Sequence, residues 1–101
     1  MRKDFKAELT VNNKPIELNP FVEEFLARTV VGAVSSLKGV DDVAKLGLEM
    51  KKRDISLIVD GHKVPLSPFP NQIVASTLVG LVSALKGVKD IESLNIKVTA
   101  E

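Results

Sequence analysis

The chain has 101 residues, of which 45% are hydrophobic and 27% charged, a globular composition that excludes intrinsic disorder and supplies one core rather than two. Fourteen lysines and arginines against thirteen aspartates and glutamates leave no overall field to draw the chain to nucleic acid or an anionic membrane. Cysteine is absent, which removes disulfides, thiolate catalysis and sulfur-ligated metals; with no secretory leader pattern near the start, a cytoplasmic protein is expected.

The first segment, FKAELTV (Phe5 to Val11), alternates apolar and polar residues as a strand does. Asn12 and Asn13 follow, and two residues tolerant of positive φ between alternating runs predict a hairpin with a type I′ turn into KPIEL. Pro15 cannot donate to a ladder, so this second strand should be short and lie at an edge. Asn19 then serves as N-cap and Pro20 as first residue of a helix. Gly39, preceded by lysine and followed by valine, is the expected helix stop. KLGLEMK (Lys45 to Lys51) alternates again as a strand.

The same order then recurs: ISLIV, the turn pair Asp60 and Gly61, HKVPL with Pro65, Ser67 and Pro68 at a helix start, Gly87 at its stop, and SLNIKVT. Leu9 falls on Leu57, an offset of 48, and an ungapped comparison of residues 9–50 with 57–98 finds seventeen identities in 42 positions. In-register proline, glycine and lysine–glycine predict a duplicated supersecondary unit.

The predicted class is therefore α+β: one domain over residues 1–101, built from two tandem ββαβ repeats (about 5–50 and 53–98) related by a pseudo-two-fold axis. Inward strand positions would be Phe5, Ala7, Leu9, Val11, Ile16, Leu18, Leu46, Leu48 and Met50, then Ile55, Leu57, Val59, Val64, Leu66, Leu94, Ile96 and Val98. Lys6, Glu8, Glu17, Glu49, Lys51, Asn95 and Lys97 alternate with them. Two helices should thus cover one face of a mainly antiparallel six-stranded sheet. From Ile16 onward the element order is similar to the ferredoxin-like βαββαβ order with extra hairpin strands, and that fold implies no particular function. The tandem organisation and the hairpin-into-helix run VNNKPIELNPF also resemble small uncharacterised archaeal proteins, a resemblance that brings no site residues with it.

Function has few footholds. The stretch Phe69 to Leu85 carries no charge, yet is too short and too polar to span a membrane. On a helical wheel Phe69, Ile73, Val74, Leu78, Leu81, Val82 and Leu85 form the expected core-facing arc, leaving Gln72, Ser76, Val79 and Ser83 as an uncharged outer face and a candidate homodimer interface. Small residues recur every four positions at Ser76, Gly80 and Ala84, opposite Arg28, Gly32 and Ser36 in the first helix. Such rows predict close helix approach, within the chain or between subunits, so that leucine at Gly32 or Gly80 should destabilise.

Lys51, Lys52 and Arg53 form a basic run that would contact phosphates if the protein bound nucleic acid, although no aromatic residue is interleaved with it. His62, the sole histidine, follows a turn, and Asp41, Asp42 and Asp90 follow the helix stops, where local turn capping is expected. No phosphate-cradling loop, nucleophile elbow or metal-ligand spacing is present. No catalytic residue, metal or cofactor is assigned, and the leading expectation is a non-enzymatic, self-associating interaction or scaffold module. The alternatives are a nucleic-acid-binding accessory protein using the basic turn and the charged sheet face, and a small-molecule or enzymatic site in the cleft between the repeats.

Overall fold

The computed structural model describes residues 4–37, 42–85 and 87–100. In chain order it comprises β1 (Phe5–Val11), β2 (Lys14–Ile16), α1 (Pro20–Ser35), β3 (Lys45–Lys51), β4 (Asp54–Val59), β5 (His62–Val64), α2 (Pro68–Ser83) and β6 (Ser93–Ala100). Two helices lie on one six-stranded open sheet, ordered β2-β1-β6-β3-β4-β5, with every neighbouring pair antiparallel.

Turn chemistry sets the hairpins. Asn12 and Asn13 have φ of 50° and 65°, and Asp60 and Gly61 have φ of 50° and 84°, the paired positive values of a type I′ turn whose twist matches that of the strands. A third such turn joins β3 to β4 at Lys52 and Arg53, φ 48° and 70°. The three-residue edge strands are β2, which contains Pro15, and β5, which ends at Val64 just before Pro65, as residues without an amide to donate require.

The registers of the two halves coincide under the 48-residue offset. Leu9 pairs with Ile16 as Leu57 pairs with Val64, and Leu9 pairs with Ile96 as Leu57 pairs with Leu48. At the centre of the sheet Leu48 pairs with Ile96, its own counterpart.

Helix α1 starts at Asn19, whose Oδ1 accepts from the Val22 amide at 2.8 Å. Helix α2 starts at Ser67, but that side chain makes no capping bond. The equivalent donor position is Pro70, which has no N–H to give. Both helices end earlier than the glycines suggest. The C-caps are Ser36 and Ala84, where Ser36 N–H donates to the Ala33 carbonyl at 3.3 Å and Ala84 N–H to Leu81 at 3.2 Å, tightening each last turn to 3₁₀ geometry. Gly87 does adopt φ 85°, but in a separate turn in which Val88 N–H donates to the Leu85 carbonyl at 3.3 Å. Gly39 lies outside the described residues.

The core forms where the inward strand side chains meet Leu26, Ala27, Val30 and Val34 of α1 and Val74, Ala75, Leu78 and Val82 of α2. Ala7, Leu9, Val11, Leu46, Leu48, Met50, Leu57, Val59, Leu94, Ile96 and Val98 are buried as the alternation predicts, with Phe5, Ile16, Leu18, Ile55, Val64 and Leu66 packed around them. Each fully buried Leu or Ile contributes roughly 1.5–3 kcal/mol over its exposed state, and no polar side chain among the described residues is buried.

Two expectations about the helices are corrected. Phe69 and Ile73 face solvent, 70% and 47% exposed. With Val74, Ala75, Leu78 and Val82 toward the sheet, both lie more than about 150° from the centre of the buried stripe. An arc drawn through uncharged residues alone could not locate that centre, because apolar side chains point in nearly every direction around this helix. Gly32 and Gly80 are likewise on the outer faces, and a methyl group added at either would meet no atom within 4 Å outside the helix's own backbone. Neither glycine marks a close contact inside the chain.

Candidate functional site

The helix layer presents its outer face to solvent. On α1 this face carries Phe21, 72% exposed, and Phe25, 53% exposed, followed by Gly32, Ser35 and Ser36. On α2 the same places hold Phe69, Ile73, Gly80, Ser83 and Ala84, and Gln72 and Ser76 are exposed where α1 has Glu24 and Arg28. The Phe21 and Phe25 rings stand 5.9 Å apart, tilted at 45°. The charged residues of this layer, Glu24 and Arg28, pair with one another at 3.0 Å.

Of the residues the sequence marks as an interface, Gln72, Ser76 and Ser83 are exposed on this layer, whereas Val79 is half-buried against the core. Of the four large apolar side chains on this layer, Phe69 and Ile73 were expected in the core, and Phe21 and Phe25 were given no role. Their signal was the paired positions Phe21 and Phe69, Phe25 and Ile73, which repeat an apolar residue at each helix start without contributing to the buried stripe.

The basic run forms the β3–β4 turn, and the structure brings it to α2. Arg53 Nη2 donates to Ser76 Oγ at 2.6 Å. Lys51, Lys52, Arg53 and Val79 share the wall of an open depression of about 910 Å³ with Glu49, Asp54 and Glu92. Three carboxylates therefore offset the three cations there, which weakens attraction for phosphates.

Between the helices Val30 and Val34 face Val74 and Leu78 over Leu48, and the free space is only about 10 Å³, enough at most for one water. The open sheet face carries Lys6, Glu8, Glu49, Lys51 and Lys97, all exposed, around Gly47 and the half-exposed Ile58. A shallow depression of about 210 Å³ lies there. His62 is exposed at the start of β5. Among the described residues no three side chains of metal-binding type converge, and no helix is long and apolar enough to cross a membrane.

Polar groups elsewhere hold the elements together. Asn12 Oδ1 accepts from the Glu92 and Ser93 amides at 2.8 and 3.0 Å, and its Nδ2 donates to the Asp90 carbonyl at 2.9 Å. Asp60 Oδ1 accepts from the Ala44 and Lys45 amides at 3.1 and 2.8 Å. Glu23 Oε2 accepts from the Ala7 amide at 3.0 Å, and Asn71 Oδ1 from the Ile55 amide at 2.9 Å. These side chains are committed to the fold. No family model, curated protein or solved structure matches the chain.

Proposed function

We propose that the protein is a non-enzymatic, self-associating interaction or scaffold module of the cytoplasm, built by duplication of one ββαβ unit, whose working surface is the outer face of its helix layer. The observation that carries this reading is the exposure of Phe21, Phe25, Phe69 and Ile73 on a helix face where Glu24 and Arg28 are paired with one another. Soluble surfaces normally intersperse lysine and glutamate, and an exposed pair of large apolar side chains at the start of each helix is surface of the kind that marks contact sites. The coincident registers and the seventeen identities support the duplication. Two-fold pairing is the commonest way for a chain to cover such a face. Sedimentation equilibrium tests the reading: a mass above the 10.9 kDa of one chain is expected in the micromolar range, and a monomer throughout would refute it.

A further inference from the structure

Resting on that reading, we infer that the occupant of the helix layer is a second copy of this chain stacked helix layer to helix layer, giving a sheet–helix–helix–sheet sandwich with both charged sheet faces outermost.

Area fits this partner. A phenylalanine-sized side chain exposes roughly 200 Å² when fully free, so exposures of 72%, 53%, 70% and 47% leave roughly 450 Å² per copy on four residues alone. A stable pair needs about 800 Å² per partner, and the broad face of the molecule, 34 × 33 Å, has room for it once the flanking serines, threonines and glycines are included.

Charge selects the same partner. A phosphate, an acidic peptide or a basic segment would meet on this face only Glu24 and Arg28, already paired with one another at 3.0 Å, whereas an identical face brings no unpaired ion to the contact. Shape agrees: each helix has its large side chains at its start and Gly32 with Ser36, or Gly80 with Ala84, near its end. Phenyl rings of one copy seat over the low rows of the other. The same glycines that contact nothing within the chain thereby gain a packing role.

The cysteine-free chain makes the test direct. In Phe21→Glu/Phe69→Glu the dissociation constant should rise at least about 100-fold, since central aromatic anchors dominate such interfaces, while the far-UV spectrum stays native because neither ring enters the core. Thiol reactivity of Gly80→Cys should fall as protein concentration rises, and that of Ser56→Cys, exposed on the opposite sheet face, should not change. A wild-type chain that stays monomeric from about 1 to 100 µM, or that floats with phosphatidylcholine vesicles as a monomer, overturns both this inference and the self-association reading. A dimer unmoved by the double glutamate variant, or one that protects Ser56→Cys and not Gly80→Cys, overturns the stacking and leaves self-association standing.

Discussion

Asn12→Ala is the substitution that most directly tests how the two ends of the sheet are held. Asn12 sits at φ 50° in the β1–β2 turn and makes three side-chain hydrogen bonds to the segment entering β6. At about 0.5–1 kcal/mol net for each such bond, their loss costs roughly 2 kcal/mol. Alanine in the left-handed region adds about 1 kcal/mol, since asparagine tolerates that conformation better. The expected total is roughly 3 kcal/mol, a large share of the 5–15 kcal/mol typical of a domain, and a drop of roughly 12 °C in Tm at about 4 °C per kcal/mol. Asn12→Gly removes the bonds without the backbone penalty and should cost about 1 kcal/mol less. Urea unfolding at one fixed protein concentration, needed because self-association shifts apparent stability, separates the two. An Asn12→Ala midpoint within about 0.5 kcal/mol of wild type would refute the assignment of these bonds to the stability of the sheet.

In the monomeric Phe21→Glu/Phe69→Glu background, Gly32→Ala and Gly80→Ala should each stabilise by about 1 kcal/mol, because both lie in open helix interior where alanine outranks glycine; a loss of denaturation midpoint would show a contact the fold does not contain. Lys52→Asn with Arg53→Gly should raise thermal stability by about 1 kcal/mol, relieving two left-handed residues at the expense of one exposed bond to Ser76. A fluorescent oligonucleotide should not be retained even at low salt, and salt-sensitive binding abolished by that pair would show that the basic turn contacts phosphates. Asn19→Ala should cost about 1 kcal/mol and Ser67→Ala close to nothing, a contrast readable by thermal unfolding, since only Asn19 caps its helix.

Where the signal was local, the sequence carried it. Asn12-Asn13 and Asp60-Gly61 specify their turns, Pro20 and Pro68 their helix starts, and strand alternation the inward residues, because each depends on neighbours a few positions away. Strand order depends on which edges meet, and nothing within β6 announces that it inserts between β1 and β3. That Lys51 to Arg53 form a turn was legible, but not its type: the positive φ values of Lys52 and Arg53 are imposed by the pairing of β3 with β4, against the preference of both residues. The candidate surface was half legible. Absence of charge singled out α2, but the direction its side chains take was set by packing on the sheet, which turned Phe69 and Ile73 outward and Val79 partly inward.

Positions 48 apart that differ in residue type still make equivalent contacts, and this separates what the fold needs from what it does not. The Arg28 guanidinium lies 5.4 Å from the centre of the Phe5 ring; the counterparts Arg53 and Ser76 also touch, with the arginine now on the strand side. Glu23 and Asn71 differ in charge, yet both take an amide from the first strand of their half. Those amides lie beyond the three-residue edge strands, so the helix side chains satisfy donors that would otherwise leave an open edge able to pair with another chain. The helix-to-strand link at these points is thus met by two different chemistries. No comparable demand reaches the outer helix face, where Phe21, Phe25, Phe69 and Ile73 contribute nothing to the buried stripe and charged residues would fold as well. Keeping four large apolar side chains in water there gains the monomer nothing, and this is the feature that the proposed pairing with a second copy accounts for.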